Sequence, residues 1–290
     1  MAYQQHSRRW FCIVAVAIII FIGCAPKMQK TMEICRGRES LTESLSSLKL
    51  RSENVVPFEA NGQCLAKFYT ESESKPDKEN FPVKLWVNPP AQIRLHGDIA
   101  LNARGLDLGS NDSEFWLSIR PKEISTYWWG SWADQNDLFG QLMIDPEVIL
   151  EALGNIETTD QKSWSLSNEG PFDVLTKRNQ QDAIIKKIYI YSCDYLIRKI
   201  EYFGAKGKAV IITELNDYRK MSKDFFVPAT IEIVHRNQDG TEDSLKITLR
   251  SVKPTSFTDK KRDVFFSRPQ PKGFGHIFKI INGQMIEQPD

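Results

Sequence analysis

Histidine is scarce in this chain of 290 residues: there are four, and no two stand at a metal-ligand spacing. His6 lies in an N-terminal apolar segment, and His96, His235 and His276 are isolated, so no metal site is expected. Cysteine is almost as rare. Once Cys12, inside the N-terminal apolar run, and Cys24, for the reason given below, are set aside, Cys35, Cys64 and Cys193 form an odd set at spacings that match neither a zinc site nor a disulfide framework. One bridge in an oxidising compartment and buried free thiols both stay open. No Gly-x-Ser-x-Gly elbow occurs. Gly204-Ala205-Lys206-Gly207-Lys208 lacks the spacing of a phosphate loop and reads as a hairpin turn. Asp98, Asp107 and Asp112 are neighbours in sequence, which does not bring their side chains together as an acid/base pair. Charge of either sign is not in excess. With 38 basic and 37 acidic residues, the concentrated basic face of a nucleic-acid binder is excluded. These absences argue against an enzyme and against any cofactor. Internal repeats and low-complexity stretches are missing too.

A hydrophobic run long enough to cross a bilayer is also missing. RRWFCIVAVAIIIFIGC, residues 8 to 24, is apolar only from Trp10 to Gly23, short of the about 20 residues a permanent span needs. Two arginines, a compact apolar core and a small residue at its end fit a secretory signal peptide. An uncleaved membrane helix is the competing reading. Ser7-Arg8-Arg9-Trp10-Phe11 resembles a twin-arginine export signal, but the very apolar core favours the ordinary secretion route. Phe21-Ile22-Gly23-Cys24 resembles a bacterial lipobox, with Phe21 where Leu is usual. Cleavage is then expected between Gly23 and Cys24, with Cys24 carrying the lipid (thioether-linked diacylglycerol and palmitate-like acyl chains). Several acyl chains anchor a protein without a transmembrane helix. Ala25, rather than Asp, follows the cysteine, which favours the periplasmic face of the outer membrane.

Four regions follow: a signal peptide over 1–23, a lipidated N-terminus and tether over 24–39, a folded domain over 40–270 and an irregular extension over 271–290. Leu41, Leu45 and Leu48 recur at helical spacing, and Ser40 with Glu43 forms a capping-box pattern, so residues 40 to 51 are predicted helical. Beyond them the period changes to two. In QIRLHGDIAL, Ile93 and Leu95 alternate with Arg94 and His96, which describes a strand with one apolar and one wet face. RGLDLGSND and EFWLSIR read as a hairpin turning at Ser110 to Ser113. Residues 145 to 154 predict a second helix, with Asp145 as cap, Pro146 in the first turn and Gly154 as stop. Strands resume at Ser163 and are joined by short loops, so roughly a dozen strands form an antiparallel meander in one domain. Pro269 and Pro271 break any strand near them.

The segment 81–130, and within it Asp107-Leu108-Gly109-Ser110-Asn111 followed by Glu114-Phe115-Trp116-Leu117, resembles the LolA/LolB-like lipoprotein-handling superfamily. PATIEIVH and the terminal DVFFSRP are also similar, so the resemblance spans most of residues 40 to 270. It implies a mainly β fold (α+β): a strongly curved antiparallel sheet forming a half-open barrel, with helices covering its concave side. It also implies a hydrophobic hollow that holds the acyl chains of lipoproteins. The carrier's sheet arginine that clasps the lid, and the receptor's protruding loop with an exposed leucine, have no counterpart that can be placed here.

Ile93 and Leu95, Phe115 and Leu117, Ile231 and Ile233, and Leu245, Ile247 and Leu249 each fall on one side of their strands. They line the expected acyl-binding cleft, or else fill an ordinary core. Two short helices are not expected to cover so wide a sheet, which leaves apolar area for a ligand. Tyr127, Trp128, Trp129 and Trp132 suit either a membrane interface or a plug at one end of the barrel. The expected partners are acyl chains of lipoproteins or lipids and the membrane itself, with no nucleic acid. The alternative is a structural lipoprotein with a filled core that recruits another envelope protein.

Overall fold

Alternating apolar and polar residues dominate the chain after Val56, and in the computed structural model the described residues build fifteen strands and three α-helices. The structure describes residues 32–69, 75–99, 102–121, 124–134, 146–237 and 239–288. The signal segment, Cys24, Asp145 and most of the tether lie outside them. Residues from Ile34 onward form one compact unit.

The first helix, α1 (Leu41–Glu53), begins at Ser40, whose Oγ accepts the backbone N–H of Glu43 at 3.2 Å. Only half of the expected capping box forms, because Arg38 takes the Glu43 carboxylate at 2.5 Å. Leu45 and Leu48 are buried, as the leucine stripe predicts. The second, α2 (Pro146–Ala152), starts on its proline and stops before Gly154, whose φ of +101° suits glycine. The third, α3 (Asp259–Phe266), occupies a stretch the sequence reading left irregular.

The strands are β1 (Phe58–Phe68), β2 (Asp77–Asn88), β3 (Gln92–Ile99), β4 (Asn102–Ser110), β5 (Glu114–Ile119), β6 (Thr126–Ser131), β7 (Trp164–Glu169), β8 (Phe172–Arg178), β9 (Ile184–Tyr191), β10 (Ile197–Phe203), β11 (Ala209–Lys220), β12 (Phe226–Arg236), β13 (Glu242–Pro254), β14 (His276–Ile281) and β15 (Gln284–Glu287). They form one unclosed sheet in the order β15-β14-β6-β5-β4-β3-β2-β1-β13-β12-β11-β10-β9-β8-β7. Two meanders, β1 to β6 and β7 to β13, join where β13 pairs with β1. All the pairings are antiparallel except that of β14, which returns alongside β6 in parallel. The extension read as irregular past residue 270 therefore carries two strands. The prolines at 269 and 271 fall in the crossover, where no ladder N–H is needed.

Register carries the apolar alternation across the sheet. Leu85, Leu95, Leu108 and Leu117 face one another along β2 to β5. Phe81, Cys64, Ile247, Ile231 and Leu215 do the same from β2 through β1, β13 and β12 to β11. This concave face and the two helices α1 and α2 share one core. The fold is the expected half-open barrel with covering helices.

Of the two cysteine readings left open, the structure bridges Cys35 to Cys193 and leaves Cys64 free and buried. Burial pushes the Cys64 thiol pKa up, which keeps it a packed, unreactive group. The bridge ties the segment before α1 to the β9–β10 turn. Arg38 N–H donates to Asp173 Oδ2 at 2.8 Å, which fastens the same segment a second time. Cys35→Ala or Cys193→Ala is expected to lower unfolding free energy by about 2–4 kcal/mol, with urea denaturation as the measurement. Reductant should reproduce that loss in the native chain and add nothing in either variant.

Candidate functional site

All nine residues expected to line a cleft lie on the concave face, and each is at most 2% exposed. Ile93, Leu95, Leu117, Ile231, Ile233, Leu245, Ile247 and Leu249 join one cluster with Leu45 and Leu48 of α1 and Val148, Ile149 and Leu150 of α2. Phe115 sits apart, against Ile280 of β14 and beside Trp128 and Trp132. The uncovered apolar area expected from the helix count is not present in this arrangement. Seven-residue α2 is almost wholly buried, and the curl of the sheet brings β1 to β5 and β8 to β13 around the same helices.

A charged ion pair interrupts this apolar face. Period-two alternation puts Lys186 of β9 in line with Ile188 and Ile190, pointing into the core. Its Nζ donates to Glu151 Oε1 of α2 at 2.5 Å, and Tyr202 OH of β10 donates to Glu151 Oε2 at 2.6 Å. The Lys186 and Glu151 side chains are only 8% and 4% exposed. Burial acts to lower the Lys186 pKa, but the Glu151 carboxylate, with Glu147 and Glu157 behind it, outweighs burial and holds it above its ordinary value. A sheet cation therefore clasps the covering helix, the role for which no residue could be placed from sequence. Part of its signal was legible: a lysine at an inward position of an apolar strand needs an acidic partner, and Glu151 is one of two acids, with Glu147, in a mostly apolar helix.

Beside the clasp a groove of about 660 Å³ opens between α1 and the segment following α2. Leu45, Trp132, Leu150 and Ile156 supply its apolar part, and Lys49 and Glu157 are among its polar walls.

The opposite, convex face corrects the reading of His96 as solvent-facing. Helix α3 lies over β3, and His96 is half-buried beside Trp86, with ring centroids 5.1 Å apart. Arg94 Nε donates to His96 Nε2 at 2.8 Å, and its Nη2 donates to Asp107 Oδ2 at 2.5 Å. Arg94 Nη1 donates to the carbonyls of Phe265, at 3.3 Å, and Ser267, at 3.0 Å, while Asn111 Nδ2 donates to that of Phe266 at 3.1 Å. Together they satisfy the end of α3, whose carbonyls have no partner within the helix. The Asp-Leu-Gly-Ser-Asn stretch is thus structural. Asp107 holds Arg94, a Cβ on Gly109 would lie 2.3 Å from the Trp116 ring, and Ser110 Oγ donates to Ala91 O at 2.6 Å. The three aspartates keep separate partners: Asp98 accepts from Arg104 N at 2.8 Å and Asp112 from Gln92 at 3.1 Å.

The aromatic cluster divides between faces. Tyr127 is fully buried on the convex side and donates to Pro269 O at 2.8 Å, and burial pushes its pKa up to about 12. Trp128 stacks on Phe278 at 6.3 Å, Trp129 lies under Arg268 at 4.1 Å, and Trp132 Nε1 donates to Asn111 O at 2.7 Å. These contacts bind the C-terminal crossover and the β4–β5 turn to the sheet.

With this geometry in place, solved structures identify the fold. A domain from Vibrio parahaemolyticus, provisionally named as an outer membrane lipoprotein-sorting protein domain, superposes with a TM-score of 0.53 at 11% identity, covering 79% of this chain and 100% of its own. A DUF1329 family protein from Desulfovibrio piger gives 0.52 at 9%, covering 80% and 98%. A LolA superfamily protein from Nitrosomonas europaea gives 0.49 at 11%, covering 80% and 99%. No family model matches the sequence, and no curated protein is similar to it. At these identities the likeness is one of fold. The chain shares the fold of the Vibrio and Desulfovibrio proteins, a half-open barrel with covering helices, as the resemblance over 81–130 implied.

Two outcomes follow from the convex cluster. Asp107→Asn leaves the buried Arg94 without its carboxylate and is expected to cost about 3–5 kcal/mol, measured by urea unfolding. Burial, aided by Arg94 and Arg104 against the pull of Asp107, lowers the His96 pKa to about 4. Below the ordinary histidine value of about 6.5, the unfolded chain binds a proton that the folded chain does not. The His96 contribution is therefore fully present above pH 6.5 and is lost as pH falls toward 4. In His96→Gln that part of the pH–stability slope should vanish.

Proposed function

We propose that this chain is a lipid-anchored protein of the bacterial envelope whose concave face binds acyl chains, receiving or passing on lipoproteins or lipids at the outer membrane. The observation that carries the reading is an apolar face continuous over eleven neighbouring strands, covered by two short helices and clasped through one ion pair. A core meant only to be filled has no need of a buried Lys–Glu pair, since apolar residues of similar volume would serve stability as well or better. Parting Lys186 from Glu151 would let α2 lift and hand its apolar footprint to an acyl chain. The groove beside α2 offers a way in. The fold supports the same direction, because a neighbour of this fold carries the name of a lipoprotein-sorting protein. In this reading Cys24 carries the anchor, and the domain faces the periplasm without catalysing a reaction.

The full burial of all nine concave residues favours one second reading, a filled-core lipoprotein that recruits another envelope protein. A fatty-acid probe titrated into the chain from Ala25 onward separates the two, together with mass spectrometry of co-purified lipid. Acyl binding by the native chain, strengthened about three- to tenfold in Glu151→Gln, is expected; that range is about 0.7–1.4 kcal/mol of lid restraint. Leu95→Glu and Ile247→Glu should abolish it in whatever fraction remains folded. If neither the native chain nor Glu151→Gln binds the probe, and one stoichiometric protein is captured instead, the filled-core reading replaces this one.

A further inference from the structure

The convex face is covered on one half only. On β5 and β6, Trp116 and Tyr127 are 0% exposed beneath the C-terminal crossover. On β8 to β10, the convex Phe172, Ile185, Tyr189, Tyr191 and Phe203 all remain part-exposed. None of the three helices reaches them: α1 and α2 share the concave core, and α3 lies over β3. Three of these side chains form one aromatic group, with Phe172 edge-on to Tyr189 at 6.2 Å and to Tyr191 at 6.3 Å. Lys199 Nζ sits 3.8 Å from the Tyr189 ring, and the Arg198 guanidinium 5.4 Å from that of Tyr191.

The start of the domain is fastened beside this face. Cys193 follows Tyr191 by two residues, so the disulfide pins the chain at the aromatic end of these strands. Ile34, the neighbour of Cys35, is 73% exposed. From Cys35 back to Cys24 the chain can extend at most about 40 Å, while an eight-residue strand such as β9 is about 27 Å long. The whole aromatic face is therefore within reach of the surface that holds a lipid on Cys24.

We propose that Phe172, Tyr189 and Tyr191, with Ile34, form the face by which the domain lies on the bilayer that holds its own anchor. Rings with a polar tip suit the membrane interface, and Lys199, paired with Glu201 at 2.7 Å, and Arg198, paired with Asp194, border them. The acyl chains hold the protein at the membrane, and a second, weaker contact beside them fixes the orientation of the domain. This placement turns the concave face and its clasp toward the aqueous side, where a donor would arrive. The proposal rests on Cys24 being the lipid attachment point, and it deepens the function proposed above.

The test uses the full chain, secreted on its own signal and placed in phosphatidylethanolamine–phosphatidylglycerol vesicles that carry a photoactivatable acyl chain. Intact mass is read first, and a chain without lipid on Cys24 overturns both the anchor and the docking face. From the lipidated chain, cross-linked peptides are expected to concentrate in residues 171–203 and around Ile34. That labelling should be lost when Phe172, Tyr189 and Tyr191 are all replaced by Ser. Cys193→Ala, which frees the tether, should keep the anchor and spread the labelling over the domain. Even labelling in the native chain, or labelling centred on α1 and α2, would falsify the proposal. Fatty-acid binding in the serine variant reads the cleft independently: its retention with loss of labelling separates the two roles.

Discussion

A sheet of fifteen strands in a single chain has two wide faces, and both carry apolar side chains that must be kept from water. At about 25 cal/mol per Å² of apolar surface, leaving either face bare would outweigh the few kcal/mol of net stability typical of a domain. The rest of the structure answers this constraint. Curling turns the concave face in on itself around α1 and α2. The chain beyond β13 then doubles back across β3 to β6 before pairing β14 with β6. The extension is thus the cover of one half of the second face as well as the edge of the sheet.

Each cover is fastened by a charged side chain from the sheet. Lys186 holds α2 through Glu151, and Arg94, itself held by Asp107, holds the end of α3 through the carbonyls of Phe265 and Ser267. The two attachments differ in what would follow their release. Arg94 is bound to fixed groups on its own strand pair and to a helix end whose carbonyls have no other partner, so α3 behaves as permanent structure. The clasp on α2 is one ion pair and one tyrosine hydrogen bond on a seven-residue helix. Desolvation of the pair offsets much of its Coulomb attraction, so it selects a geometry more than it adds stability. A cover with that property can yield to an apolar ligand able to fill the same surface.

The third fastening is covalent and lies at the edge. The disulfide and the Arg38–Asp173 hydrogen bond bring the start of the domain to the tips of β8 to β10, beside the aromatic group left exposed there. In the proposed arrangement, anchor, aromatic face and clasped concave face fall in sequence from membrane to water. The physical link is the shortness of the chain between Cys24 and Cys35.

Much of this was legible in the residues themselves. Period-two alternation in segments such as QIRLHGDIAL and SLKITLRSV determines strands and their apolar faces, because the pleat sends neighbouring side chains to opposite sides. Ser40, Pro146 and Gly154 mark helix ends by local backbone chemistry, and those marks were followed by the fold. The role of the opposite face was not legible. Arg94 and His96 have the polarity of solvent-facing residues, and only the return of α3 over them made that side an interior. The same holds for Cys35 and Cys193, which lie 158 residues apart and meet because two meanders share one sheet. Lys186 stands between these cases: its inward direction is local, but its partner on α2 is chosen by packing. Local patterns determine which way a side chain points, since that depends on a residue and its neighbours. What it meets there depends on contacts between distant segments, and those were decided only by the tertiary structure.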